Sequence, residues 1–292
     1  MTASAPALKA AREIAAWTNA LSLDVHEFAA RSAELWSGRP RPLSITRGDI
    51  ARLEELVGAF LETHDFVVGA GAIFSTEAIR SKDGGLEWWI RRERSIEKLE
   101  FDLTPGGERF YDYQNMPFFA SASRTGEQTV WGPYVDYLGM DEYILTYSAP
   151  IQLEGEFAGV AGCDIRIKKL EEILMPTLRS IPGDAALLNA GGRVVVGNSG
   201  AHLVGERVRS TSGGRSLIPI EVPHLGFSLL APSMIDQPPA VISRRTGPPS
   251  RLPSIRRSAE VGGDGHEDVC CLRTISLIQI GANGEVQFGG VG

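Results

Sequence analysis

Two acidic residues stand close to an unusual concentration of aromatic side chains. All six tyrosines of the chain fall between Tyr111 and Tyr147, and Asp136 lies inside this stretch. Asp164 interrupts the run at 159–165, which is otherwise made of small and apolar residues. A buried carboxylate without a partner is costly, so Asp164 needs either a backbone amide, as the cap of the following helix, or a ligand cation. Aromatic faces beside a carboxylate favour a cation, and the residues alone leave both possibilities open.

Motifs that would indicate catalysis are missing from the sequence. It has no nucleophile elbow and no phosphate-binding glycine loop. Its five histidines are widely spaced, and none has a Cys, His or carboxylate at the spacing of metal ligands. Cys163 lies in an apolar segment, which is typical of a buried structural thiol. The sequence therefore predicts a non-enzymatic protein with no catalytic residues, no metal and no cofactor.

Composition and charge exclude several classes of protein. The chain has 292 residues, 43% of them hydrophobic, and a formal net charge of −7. These proportions allow a substantial core and exclude collagen-like, globally disordered and disulfide-stapled proteins. Without a basic block, the chain lacks the charge pattern of nucleic-acid binding. Residues 1–17 lack the apolar core of a signal peptide and no window could span a membrane, so the sequence predicts a cytoplasmic protein without membrane contact.

The first 64 residues carry the periodicity of two helices. Apolar residues recur at helical spacing from Ile14 to Leu35, which predicts one long amphipathic helix. Its stripe could pack against the chain's own domain or against a second copy in a homodimer, and the sequence does not choose between them. A second helix follows, with Thr46 and Asp49 spaced as a capping box.

After residue 65 the pattern changes to short strands separated by turns. The segment at 65–176 contains several strands, among them a hairpin around Glu154 and Gly155. It ends in a short helix that Pro176 is expected to stop. Helices followed by a run of antiparallel strands predict an α+β fold.

The remainder of the chain divides into two further segments. Residues 177–235 have the pattern of a smaller β-rich module. Residues 236–292 contain paired prolines and little core-forming material, so we expect a low-complexity, disordered tail. A reading-frame error after about Ser233 would change the composition in the same way.

Six short segments occur in a distinctive order along the chain. They are FYDY at 110–113, MPFF at 116–119, TG at 125–126, GPYVDY at 132–137, EYILT at 142–146 and GVAGCDI at 159–165. Together they resemble the Cache family of bacterial sensor domains, which are PDC-type and PAS-like. The resemblance covers residues 66–174 well, and residues 184–204 resemble the start of the smaller second module of double-Cache proteins. It implies a central antiparallel sheet, a long N-terminal helix, and a small ligand bound over the sheet beneath a loop.

In family members that sense amino acids, an aromatic cluster, an arginine and two acidic positions form the pocket. By motif order, the residues at the aromatic and acidic positions are Tyr111, Phe118, Phe119, Tyr134, Asp136 and Asp164. The position that usually holds the arginine is Met116, which supplies no donor for a carboxylate. The resemblance thus implies a biogenic amine, a polyamine or a quaternary ammonium ligand. The alternative is an amino-acid-like ligand whose carboxylate meets Arg109 or Arg124.

The expected function is a stand-alone sensor that binds a small molecule and signals through a separate effector protein. The sequence contains no kinase, methyl-accepting or DNA-binding segment that would supply the output itself. One alternative is an enzyme that acts on a small amine or organic acid in the same pocket, although the pocket has no positioned base, nucleophile or metal. The other is the detached sensor part of a membrane receptor, which would have flanking transmembrane helices.

Overall fold

The computed structural model describes residues 3–80, 85–93, 95–137, 141–208 and 214–233, so the predicted tail at 236–292 lies outside it. Its helices are α1 (Ala5–Glu34), α2 (Arg47–Thr63), α3 (Pro117–Thr125) and α4 (Ile167–Arg179). Its strands are β1 (Val67–Phe74), β2 (Gly85–Arg91), β3 (Ile96–Leu99), β4 (Thr129–Val135), β5 (Tyr143–Leu153), β6 (Glu156–Arg166), β7 (Ala186–Leu188), β8 (Val194–Gly197), β9 (Arg215–Pro219) and β10 (Ser228–Pro232). The chain has the predicted α+β fold, and no helix within the described residues is long and apolar enough to cross a membrane.

The larger sheet is antiparallel, with the strand order β3-β2-β1-β6-β5-β4. Its longest pair, β5 and β6, is the predicted hairpin around Glu154 and Gly155. The helices α1, α2 and α4 pack against one face of this sheet, and α3 packs against β4, β5 and β6. Because side chains alternate between the faces of a strand, each long strand contributes to a helix-covered core and to a second, opposite face.

The apolar stripe of α1 is buried against the chain's own sheet. Ile14, Leu21, Val25 and Phe28 belong to one continuous core with residues of β5 and β6. Of the two partners that the sequence left open, the stripe therefore meets its own domain. A homodimer through α1 would have to use another face of the helix, and it stays a prediction.

The capping box of α2 forms as predicted. The Asp49 amide donates to Oγ1 of Thr46 at 3.2 Å, and the Thr46 amide donates to Oδ2 of Asp49 at 2.8 Å. The two Arg39 guanidinium nitrogens donate to the two Asp49 carboxylate oxygens, each at 2.8 Å, and Arg52 donates to Oδ1 at 2.7 Å. This buried carboxylate is thus saturated by donors from its own chain.

The helix α4 continues past the residue that was expected to stop it. Pro176 lies inside α4, which ends at Arg179, so the predicted boundary at 176 falls within a helix. Leu170, Leu174 and Leu178 are buried on one face, and this packing outweighs the hydrogen bond that proline cannot donate. Pro176 itself is exposed, where water can reach the carbonyl left without a donor.

A four-stranded sheet of order β8-β7-β10-β9 follows, in the range predicted for the smaller module. Its residues Leu187, Val196 and Leu229 belong to the same continuous core as α1 and α4. A polar contact also joins the two sheets, because the Asn189 side-chain amide donates to the carbonyl of Gly132 in β4 at 2.6 Å. The smaller sheet therefore shares its packing with the larger one.

Candidate ligand-binding site

The central strands position the polar centre of the site. Asp164 on β6 lies directly opposite Thr146 on β5, on the face away from α1. The Thr146 hydroxyl donates to Oδ1 of Asp164 at 2.6 Å. With the only Thr146 hydrogen used in this way, the Tyr134 hydroxyl donates to Oγ1 of Thr146, at 3.0 Å. Three polar side chains thus form a line that ends at a carboxylate.

A mostly aromatic cavity surrounds this line. The residues that border it are Ile73, Leu86, Trp88, Phe101, Tyr111, Phe118, Tyr134, Thr146 and Asp164. The space inside the cavity that is open to the centre of a water molecule is about 20 Å³. This free space is enough for about one water molecule, so the walls must move apart for a larger ligand.

The short helix α3 places Phe118 at the cavity. Pro117 begins the helix, where a missing amide hydrogen costs nothing, and Gly126 ends it with a φ of 69° that favours glycine. The Ser148 hydroxyl donates to the Phe118 carbonyl at 2.8 Å. This bond fixes the start of α3 on β5, the strand that also carries Thr146.

Burial and neighbouring charge both act on Asp164. Desolvation raises the pKa of Asp164 to about 8, and the nearby charge of Asp136 adds to this effect. Hydrogen bonds from Thr146 and Trp88 act in the opposite direction, because they stabilise the carboxylate. No positively charged side chain is present among the described residues that border the cavity.

The two cavity tyrosines remain neutral donors. Burial, followed by the charges of Asp136 and Asp164, raises the pKa of Tyr111 far above its ordinary value. Burial likewise raises the pKa of Tyr134, with Asp164 as the next cause. Both phenols therefore keep their protons at physiological pH and present hydroxyl groups and ring faces to the cavity.

Comparison with known families assigns this part of the chain. Residues 53–172 match the family described as methyl-accepting chemotaxis protein-like, first PDC sensor domain. This segment, called the PDC domain below, is similar to the PDC sensor domains of that family. The match includes every residue that borders the cavity and agrees with the resemblance to Cache sensor domains seen in the sequence.

Solved structures share the fold of the PDC domain and extend the likeness beyond it. The extracellular domain of a protein described as the histidine kinase mmHK1S-Z3 aligns with a TM-score of 0.56 at 15% identity, over 76% of this chain and 90% of that chain. The ligand-binding domain of the Pseudomonas fluorescens chemoreceptor CtaA, in complex with L-isoleucine, gives 0.52 at 17% identity over 77% and 88%. That of the Pseudomonas aeruginosa PAO1 amino acid chemoreceptor PctB, in complex with L-arginine, gives 0.51 at 16% identity over 79% and 86%.

The PDC domain brings four of the six predicted site residues to one cavity. Tyr111, Phe118, Tyr134 and Asp164 border it. Phe119 does not, because neighbouring positions of a helix point about 100° apart; its ring instead contacts Tyr113 and Phe157, each with centroids 5.5 Å away.

Asp136 acts on the cavity from outside its lining. It is buried and lies just beyond β4, where its amide donates to the carbonyl of Glu142. Its charge raises the pKa of Asp164, Tyr111 and Tyr134, so it contributes to the negative potential of the site without bordering the cavity.

Three polar or aromatic residues of the PDC site were not predicted. Thr146 donates a hydrogen bond to Asp164, and Trp88 borders the same cavity and lowers the pKa of that carboxyl. Phe101 forms a wall whose ring centroid lies 4.8 Å from that of Tyr111. The position of Thr146 within the EYILT segment and the two adjacent tryptophans of β2 were the available signals in the sequence. None of these residues belongs to the aromatic and acidic positions on which the resemblance depended.

The two arginines proposed to replace a carboxylate clamp lie outside the cavity. Arg124 is exposed in the last turn of α3. Arg109 is exposed as well, but it borders an adjoining cavity together with Glu100, Asp102 and the rings of Phe101 and Tyr111. The Phe101–Tyr111 ring pair therefore separates Asp164 from Arg109. Met116 packs against the aromatic cluster.

Proposed function

We propose that this chain is a non-enzymatic sensor whose PDC cavity takes a small organic cation, an amine or an ammonium compound, at Asp164. The observation that carries the proposal is a buried carboxylate that faces aromatic rings and has no cationic side chain in the described cavity lining. A charge buried in this way requires a counter-charge, and ring faces attract ammonium groups. A ligand cation supplies the one partner that the lining lacks.

The proton equilibrium of Asp164 also supports the binding of a cation there. With a pKa near 8, the carboxyl group of the free protein holds a proton at neutral pH. A bound ammonium group would take the place of that proton and stabilise the ionised form. Asp164 is therefore neutral without ligand and ionises when a cation is present to compensate it.

Access to the cavity requires a movement of its outer wall. The free space holds about one water molecule, and Phe101 and Tyr111 stand between it and the adjoining cavity. We propose that these two rings separate when the ligand binds and close over it afterwards. Such closure would remove water from the ammonium group and strengthen its attraction to Asp164.

The test is a thermal-shift and calorimetry screen of amines, each paired with its parent amino acid: putrescine with ornithine, histamine with histidine, and tyramine with tyrosine. Tetramethylammonium serves as a cation without N–H groups. We expect at least one amine to stabilise the protein and Asp164→Asn to weaken its binding at least about 100-fold, as for loss of one partner of a buried charge pair. Asp112→Asn, at an exposed site in the same region, is the matched control and should bind normally.

An amino-acid-like ligand is the second candidate, because Arg109 lies just beyond the Phe101–Tyr111 pair. The relatives CtaA and PctB are described in complex with L-isoleucine and L-arginine. If the parent amino acids bind more tightly than their amines, and Arg109→Ala removes that preference, the amine hypothesis is wrong and this second one is correct. Turnover of the bound compound would instead indicate an enzyme.

The separate effector and the cytoplasmic location stay predictions from the sequence. The relative described as an extracellular domain of a histidine kinase illustrates the alternative, a sensor part of a membrane receptor. Fractionation of cells that produce the protein from its native locus distinguishes the two, because a receptor part would sediment with membranes.

A further inference from the structure

Strand β1 has a glycine, and therefore no side chain, directly beside Asp164. In the sheet register, Asp164 lies opposite Thr146 on one side and opposite Gly69 on the other. A Cβ atom at Gly69 would lie 2.8 Å from Nε1 of Trp88. One at Gly71 would meet the backbone carbonyl of Glu87 first and would lie 2.8 Å from Cε3 of the same ring. The indole ring therefore occupies the space that two side chains of β1 would otherwise fill.

Trp88 extends toward the carboxylate across Gly69. Its backbone is on β2, opposite Gly71 and one strand farther from Asp164 than β1. The residue is 6% exposed and borders the cavity together with Asp164. Its ring nitrogen lies beside Gly69, the residue opposite Asp164, and the N–H group lowers the pKa of that carboxyl. An indole nitrogen can only donate, so this contact favours the ionised carboxylate.

We propose that Gly69, Gly71 and Trp88 form a second arm of the ligand site, in which Trp88 is a positioning residue that orients Asp164 and offers its ring face to the bound cation. Thr146 is the corresponding donor on the β5 side. A side chain at Gly69 would displace the ring, and one at Gly71 would meet both the backbone of β2 and the ring. The role of the ring toward a cation rests on the proposed function, whereas the effect on Asp164 belongs to the protein without ligand.

Other groups near Asp164 also influence its pKa, and they are the same in the wild-type protein and in the Trp88 variant. Asp136, beyond β4, is the titratable neighbour that raises its pKa, and the phenols of Tyr111 and Tyr134 are the others in the cavity. Cys163 is adjacent on β6 but belongs to the core on the other face. None of these groups changes when Trp88 is replaced, so a difference between variants reports the indole N–H.

The experiment compares Trp88→Phe with Trp89→Phe. The first keeps an aromatic ring and removes the N–H donor, and the second makes the same change at a buried tryptophan on the opposite face of β2. NMR of the carboxyl carbon follows the titration of Asp164 in free protein. We expect the proton affinity of Asp164 to rise about tenfold in Trp88→Phe, the scale of one hydrogen bond to a charge, and to stay unchanged in Trp89→Phe.

A measurement on the wild-type protein covers the case in which a variant does not fold. The indole N–H resonance of Trp88 should shift with the titration of Asp164, whereas that of Trp89 should not. If the Trp88 signal does not follow Asp164, or if Trp88→Phe titrates like wild type, the positioning role is wrong even where amines bind. If both shifts occur but no amine or amino acid binds, the positioning role stands and the proposed function fails.

Discussion

Asp49 at the start of α2 and Asp164 on β6 are 1% and 5% exposed, yet their surroundings are opposite in kind. Asp49 accepts from Arg39, Arg52 and Thr46, and the Arg39 guanidinium is the main cause that holds the pKa of its carboxyl well below the usual range. Asp164 has two neutral donors and a nearby like charge, and its pKa rises to about 8.

This contrast separates a structural carboxylate from the one that we propose to bind a ligand. The chain supplies every partner of Asp49, so its charge stabilises the folded state without any other molecule. Around Asp164 the described cavity offers ring faces and hydroxyl groups but no cation. A buried acid of the second kind weakens folding on its own, which is a pattern typical of binding sites.

The largest expected effect is the pH dependence of stability that Asp164 causes. Between its ordinary pKa near 4 and its folded value near 8, the unfolded chain is ionised while the folded chain holds a proton. Folding takes up a proton in that window, so stability falls as pH rises, by about 1.4 kcal/mol per unit, and levels off above pH 8. Urea unfolding of wild type and Asp164→Asn from pH 5 to 9 measures this as a difference. Equal pH profiles would contradict the assigned burial of the charge.

Asp49 should respond in the reverse direction. Because its folded pKa is lowered, its contribution is complete above the ordinary value and is lost as pH falls below about 4. Asp49→Asn breaks the capping box and removes the partner of two arginines, and it should lower the free energy of unfolding by about 2 kcal/mol at pH 7. Chemical denaturation measures this loss. A neutral or stabilising effect would remove the distinction between the two acids.

Variants of the adjacent residues Phe118 and Phe119 test where the binding site ends. Phe118→Leu removes a ring that borders the cavity and should weaken amine binding about fivefold, the scale of one cation–π contact. Phe119→Leu removes a ring that contacts Tyr113 and Phe157, so amine affinity should not change although stability falls by about 1 kcal/mol. Calorimetry on both variants tests this, and equal losses of affinity would place Phe119 in the site after all.

The smallest expected effect concerns Tyr134. Tyr134→Phe removes the hydroxyl that donates to Thr146 but leaves the Thr146–Asp164 hydrogen bond in place. Amine affinity should fall about threefold, in the lower range for one hydrogen bond. Thr146→Val is the stronger comparison, since it removes the direct donor to Asp164. A larger loss in Tyr134→Phe than in Thr146→Val would mean that the phenol meets the ligand itself.

Those parts of the molecule that depend on local patterns could be predicted from the sequence. The stripe of α1 follows from helical spacing, and the capping box of α2 follows from two residues three positions apart. Asp164 was identified as exceptional because a charge ends an apolar strand. Its lack of a cationic partner within the described lining could be tested only once the neighbouring strands were in place.

Two site residues that the sequence did not predict, Thr146 and Trp88, are placed by the register in which the strands pair. A small irregularity such as a β-bulge changes that register. Counted from the turn at Glu154 and Gly155, a regular hairpin would put Leu145 opposite Asp164. A bulge near Gln152 shifts the pairing by one residue and brings Thr146 there instead. Trp88 reaches Asp164 across a strand that Gly69 leaves open, and no local pattern predicts a contact between alternate strands.

The alternation of Cys163 and Asp164 along β6 has a consequence for folding. Cys163 is buried in the core with Tyr147, whereas Asp164 faces the cavity on the other side. A slip of one residue in the pairing of β6 would place the carboxylate under α1, in the largely apolar core. The same acid that we propose to bind a cation therefore also disfavours the misaligned sheet, so the proposed binding and the correct pairing of the strands depend on one side chain.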